Sequence, residues 1–105
     1  MLKFTLTEKA KDDLKSIARF TQKRWGREQR NEYLASLDKI FQRLAENPSI
    51  GKDYSEVKEG YRKFPTGSHI IYYPCLAKTP LEIVRILHES MDVDLQFSPN
   101  NIERN

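Results

Sequence analysis

Two apolar stripes of helical period, separated by one glycine and stopped by one proline, constrain this chain more than any other feature. Ala10, Leu14, Ile17, Ala18, Thr21 and Trp25 recur at steps of three and four, which is one face of a helix. Thr7 stands where its hydroxyl accepts the free amides of that helix as an N-cap. Gly26 is a natural break. Leu34, Leu37, Phe41 and Leu44 then line a second helix, with Ile40 beside them. Asn47-Pro48 ends it, because the residue before proline avoids helical geometry. Two such helices with a short link predict an antiparallel hairpin with apolar faces to bury. Trp25, closing the first stripe, reads as a core residue.

The remaining segments supply what the hairpin buries against. Lys3-Phe4-Thr5-Leu6 alternates like a short strand. Residues 48–60 carry Pro48, Gly51, Gly60 and mixed charges, and read as a loop. Tyr61 to Phe64 begins a strand, Pro65-Thr66-Gly67-Ser68 has turn chemistry, and His69 to Tyr73 is the return strand. Residues 74–80 connect to a last strand, Glu82 to His88, rich in Ile and Val. The predicted order is strand, two helices, three strands. That is an α+β domain, with the helical hairpin on one face of a small, mostly antiparallel sheet. Residues 1–97 form the expected domain, and 98–105 a flexible tail.

Composition narrows the function classes. A chain of 105 residues holds one modest core, and 31% charged residues with 38% hydrophobic suit a water-exposed fold. No apolar run approaches the length of a membrane span, and the N-terminus lacks an apolar signal core. A cytoplasmic location and no membrane partner are therefore expected. Cys75 is the single cysteine, so no disulfide forms within the chain. With two histidines far apart in sequence, no metal-ligand spacing is present and no cofactor is expected. Ser68, Ser90 and Cys75 lack a base-plus-orienter pattern, and there is no phosphate-cradling glycine loop.

Charge is uneven. Residues 1–30 hold nine Lys/Arg against four Asp/Glu, whereas residues 31–60 hold four against six. Lys11, Lys15, Arg19, Lys23 and Arg27 form a ladder at four-residue intervals beside the apolar stripe. It is either a docking stripe for an acidic partner or a solvated face whose long stems cover core edges. On the last strand, alternation groups Ile83, Arg85 and Leu87 against Val84, Ile86 and His88. With Val84 and Ile86 under the helices, Arg85 projects from the opposite sheet face. There it would join some of Arg62, Lys63, His69 and the tyrosines. Such a surface suits an acidic peptide or a phosphate backbone, or is an ordinary exposed sheet face. His69 and His88, at strand ends, are either acid–base groups or partners of nearby backbone.

Two segments carry a family resemblance. Arg62 to Tyr73, with Gly67-Ser68-His69 and Tyr72-Tyr73, and Ile83 to Asp92 resemble the ParE branch of the RelE/ParE toxin superfamily. Leu6-Thr7 and the Trp25-Gly26 junction support it, and the likeness covers roughly residues 1–97. The resemblance implies a RelE-like fold, a ParD-like antitoxin from the same operon, and DNA gyrase as the target. It implies no enzymatic activity, and no sequence-specific nucleic-acid binding by the toxin alone. The antitoxin of such pairs wraps the toxin with apolar anchors and acids. Lys15 and Arg19 on the first helix, and Arg62, Tyr72 and Arg85 on the sheet, are the residues expected to meet it. His88, Glu89, Met91, Asp92 and Phe97 are those expected to meet gyrase.

Two other classes compete. RelE-like relatives cleave messenger RNA on the ribosome, using cations around the scissile phosphate and a late Tyr or His as acid or base. Arg62, Lys63, Arg85 and His88 fit those roles by residue type. Glu89, Asp92 and Asp94 follow His88, however, and carboxylates there repel phosphate, while no Tyr follows Tyr73. The other competitor is a binding module with no activity of its own, which a short upstream antitoxin gene would argue against.

Overall fold

The computed structural model describes residues 4–55, 58–75 and 80–89. Strand β1 (Phe4–Leu6) leads into helix α1 (Glu8–Trp25) and helix α2 (Arg27–Glu46). A 3-10 turn (Pro48–Ile50) precedes the two-residue strand β2 (Lys52–Asp53). Strands β3 (Tyr61–Thr66), β4 (His69–Pro74), β5 (Leu81–Ile83) and β6 (Arg85–His88) follow. Among the described residues no helix is long and apolar enough to cross a membrane. The expected boundary at residue 97, the tail 98–105, and Met91, Asp92 and Phe97 lie outside the described residues.

The helix boundaries follow from local chemistry. Thr7 Oγ1 accepts the Ala10 amide at 3.0 Å, capping α1. Gly26 ends α1 and starts α2 with φ 97° and ψ 170°, a backbone region essentially reserved for glycine. Asn47 closes α2 before Pro48. The buried stripe holds Ala10, Ile17 and Thr21 from α1, and Leu37, Phe41 and Leu44 from α2. All of these but Thr21 pack with Ile71, Tyr73, Ile83 and Ile86 in the main core. Trp25 is a correction: it lies 63% exposed, beyond the edge of that core.

The strands form a four-stranded antiparallel sheet, β2-β3-β4-β6, and a separate parallel pair, β1-β5. Strand β3 runs on through Pro65 to Thr66, so the hairpin turn is Gly67-Ser68 alone. Pro65 is tolerated because β2 pairs only with Arg62 and Lys63, leaving that end of β3 an edge. Gly67, at φ 58°, supplies the positive φ at the first of the two turn residues. The short β2 lies inside the segment expected to be loop.

The largest departure from expectation is in the last strand, which is two strands joined at Val84. The Val84 amide donates to the Tyr72 carbonyl at 2.9 Å, while Tyr72 is also the register partner of Arg85. Two residues opposing one is a bulge, and it shifts the alternation by one. Ile83 and Ile86 therefore both join the core under the helices, while Val84 and Leu87 both join the cluster on the other face. Helix α1 pins this bulge. Thr7 Oγ1 donates to the Val84 carbonyl at 2.8 Å, and Asp13 Oδ2 accepts the Ile86 amide at 2.9 Å.

Candidate partner-binding groove

The bulge decides where the cations point. Arg85 does not project from the open sheet face. Its Nε and Nη2 donate to Asp13 at 2.8 and 3.0 Å, back toward α1. Only 16% of the Arg85 side chain and 14% of the Asp13 side chain remain exposed. Arg62 shares a strand face with Phe64, which packs on the main core, and its Nη1 donates to the Gly51 carbonyl at 2.7 Å. His69 also faces the helices. Of the expected Arg, Lys and His residues Lys63 alone sits on the open face, with Nζ 5.0 Å from the centre of the Tyr54 ring. That face is mainly tyrosine and aliphatic: Tyr54, Tyr72 and Leu87, flanked by Tyr61, Ile70 and Val84.

The expected antitoxin residues therefore separate. Tyr72 has no exposed surface, and the described guanidinium contacts of Arg62 and Arg85 lie within the chain. Lys15 and Arg19 are exposed on α1, as is the rest of the basic ladder. Lys11 pairs with Glu8 at 3.5 Å, an exposed contact of little energetic weight. His88 and Glu89 are exposed at the end of β6, where the Glu89 amide donates to the Ser68 carbonyl at 2.9 Å.

What the fold does present is a groove beside α1. One cavity, of about 360 Å³, is lined by residues that include Ser16, Ile17, Phe20, His69, Ile86 and His88. A second, of about 260 Å³, is lined by residues that include Phe20, Trp25, Tyr33, Gly67, Ser68 and His69. Phe20 and His69 line both, so the two cavities adjoin. Phe20 is 62% exposed and Trp25 63% exposed, a large apolar area to leave in water. The Arg24 guanidinium stacks 5.3 Å from the centre of the Trp25 ring. Exposed Arg19 donates to Ser16 Oγ at 3.3 Å, which places this ladder residue along the groove wall. Lys15 flanks a different hollow, of about 330 Å³, between β1 and the two helices.

The floor of the groove is aromatic and titratable. Tyr33 Oη lies 2.8 Å from His69 Nδ1 and 3.4 Å from the Thr66 carbonyl. His69 and His88 are register partners across β4 and β6, and their rings meet edge to face at 5.4 Å. Burial, and then the neighbouring His88, push the His69 pKa below its ordinary value. Burial raises the Tyr33 hydroxyl. A Cβ on Gly67 would stand 3.0 Å from Tyr33 Oη, so glycine also lets the turn close over this tyrosine. Sequence reasoning missed Phe20, which lies off the apolar stripe, and Tyr33, whose link to His69 needs the folded register. For Trp25 the signal was present, a tryptophan at a helix end, but its exposure was not.

A two-helix hairpin on a small antiparallel sheet is a fold shared with a solved structure. A chain of the structure titled "Chromosomal ParDE TA system from P. aeruginosa" superposes with a TM-score of 0.69. That match covers 84% of this chain and 96% of the other, at 18% identity. Sequence comparison gives the family. Residues 4–93 match the model of the ParE toxin of the type II toxin–antitoxin system parDE. The chain is 38% identical over 92 residues to Toxin ParE1 of Mycobacterium tuberculosis, covering 88% of this chain and 94% of the relative. It is 35% identical to Toxin ParE1 of Caulobacter vibrioides over the same shares, and 36% identical to Toxin ParE of Escherichia coli. The latter match covers 89% of this chain and 90% of its relative. The chain belongs to the ParE toxin family of type II toxin–antitoxin systems.

Proposed function

We propose that this chain acts by binding rather than catalysis, inhibiting DNA gyrase until a ParD-like antitoxin occupies the groove beside α1. The observation that carries the antitoxin reading is the pair of adjoining cavities beside α1 with Phe20 and Trp25 exposed along them. Its walls are apolar, and Arg19 and Arg24 stand at its margin. That combination suits an amphipathic segment with apolar anchors and flanking carboxylates. The gyrase reading rests on family membership, with the exposed end of β6 at His88 and Glu89 as the proposed contact. Met91, Asp92 and Phe97 are proposed to extend it.

Binding is favoured over RNA cleavage by the placement of the cations. Arg62 and Arg85 turn to separate partners, Gly51 and Asp13, rather than converging beside His88. Asp13 and Glu89 lie close enough to act electrostatically on His69, where a phosphate would be repelled.

The groove reading is tested by Phe20→Asp, titrated calorimetrically with the antitoxin from the same operon. Phe20 is mostly exposed, so the unfolding midpoint stays near that of the unaltered chain. Antitoxin affinity falls about a hundredfold, roughly 2.8 kcal/mol. Unchanged affinity in the folded variant places the antitoxin elsewhere.

A further inference from the structure

His69 and His88 are far apart in sequence, and strand pairing makes them direct neighbours. The adjacent Ser68 and Glu89 share a ladder hydrogen bond, so His69 and His88 occupy a non-hydrogen-bonded pair. That is where antiparallel side chains approach most closely. Their ring centres stand 5.4 Å apart. An ion held at ~2.1 Å by one nitrogen of each imidazole, at a tetrahedral angle, places ring centres about 5 Å apart. His88 is exposed at the end of β6, beside the half-buried ring of His69.

The surroundings of His69 match those of a metal-binding imidazole. Tyr33 Oη lies 2.8 Å from His69 Nδ1. In the tautomer that carries its proton on Nδ1, the ring donates to Tyr33 and Nε2 keeps the lone pair. A second partner that fixes the tautomer and ring orientation is the usual support of a ligating histidine. Burial favours the neutral ring, the form that binds metal. Asp13 on α1 and Glu89 beyond β6 add negative potential toward the same ring. Asp13 also lines the cavity that both histidines line, where it holds Arg85 and the Ile86 amide.

We propose that His69 and His88 form a two-imidazole site for a zinc-class divalent transition metal at the mouth of the groove, with Tyr33 as the positioning residue for His69. Among the described residues there is no group of three or more His, Cys, Asp or Glu placed to hold a metal. The proposed site takes two ligands from the described residues, with water completing the shell. Imidazole ligands favour zinc, nickel and copper over magnesium or calcium. The inference does not depend on gyrase or on the antitoxin.

The test is calorimetric titration of the full, tag-free chain with zinc chloride near neutral pH, with magnesium chloride as the contrast. The expected result is one zinc ion per chain, no magnesium binding, and perturbed imidazole resonances for both histidines by NMR. His88→Ala, at an exposed position, keeps its metal-free unfolding midpoint and loses more than about tenfold in zinc affinity. Tyr33→Phe lowers zinc affinity about tenfold while leaving both imidazoles to respond to the ion. Absence of saturable zinc binding to the unaltered chain overturns the proposal. So does wild-type affinity in folded His88→Ala, which places the ligands elsewhere.

Discussion

Asp13 ties more of this molecule together than any other charged residue described. Its carboxylate accepts two guanidinium hydrogen bonds from Arg85 and the Ile86 amide, and so joins α1 to the bulged strand. Both side chains are largely buried, so removing one strands the other's charge away from water. Asp13→Ala is expected to cost about 3 kcal/mol in urea-monitored stability. Asp13→Asn, which keeps an acceptor for the amide, is expected to cost less. Equal stability of Asp13→Ala and the unaltered chain would contradict this role. Arg85, expected from the sequence as an antitoxin contact, is engaged with Asp13 within the fold. Arg85→Glu sets two carboxylates against each other, so weakened antitoxin binding in that variant reads a disturbed fold.

His69 gives the stability of the fold a pH dependence. Its folded pKa is lowered, so the unfolded chain binds this proton more readily. The stability it contributes is present above the unfolded value of about 6.5 and is lost as pH falls through the folded value. Asp13 and Glu89 oppose the shift, and burial with His88 outweighs them. Urea midpoints of the unaltered chain and His69→Gln are expected to diverge in slope below that pH, the unaltered chain falling more steeply. Parallel slopes would remove His69 from the pH response.

At the scale of elements, the helices were legible and the last strand was not. Residues 10–21 and 34–44 repeat an apolar period that only a helix buries on one side, and Thr7, Gly26 and Asn47-Pro48 mark the ends. Residues 82–88 alternate like one strand. A bulge leaves no distinct mark in an Ile/Val-rich run, so Ile83, Arg85 and Leu87 appeared to share a face. The groove was illegible for a related reason. Phe20 and Trp25 count as apolar in any pattern, and only packing decides whether an apolar residue is covered. Likewise the pairing of His69 with His88 exists only once register is set.

Gly26 tests the helical hairpin itself. Its φ of 97° and ψ of 170° belong to glycine alone, while a Cβ there meets nothing within 4 Å. Gly26→Ala therefore adds backbone strain without a clash, at about 1–3 kcal/mol. An unfolding midpoint unchanged by Gly26→Ala would show that the link relaxes without cost.

On the scale of the whole molecule, the charge pattern and the groove point the same way. The chain carries a net charge of +3, and its most basic stretch is residues 1–30, which include α1 and its exposed ladder. A positive helix beside an apolar groove steers an acidic amphipathic partner and then buries its anchors. The fold class and family were readable from the sequence because they depend on element order and on short segments such as Gly67-Ser68-His69. Where Arg85 points was not, because one inserted residue at Val84 turned it toward Asp13.

Gyrase inhibition that a ParD-like antitoxin relieves is the function we propose for this ParE-family chain. The most direct measurement is plasmid supercoiling by gyrase and ATP with the purified chain, with and without that antitoxin. Blocked supercoiling with accumulating cleaved plasmid, reversed by the antitoxin, is the predicted result. Unimpaired supercoiling with folded chain in excess over gyrase would contradict the account and redirect the search to ribosome-dependent RNA cleavage, with His88 as the first residue to change.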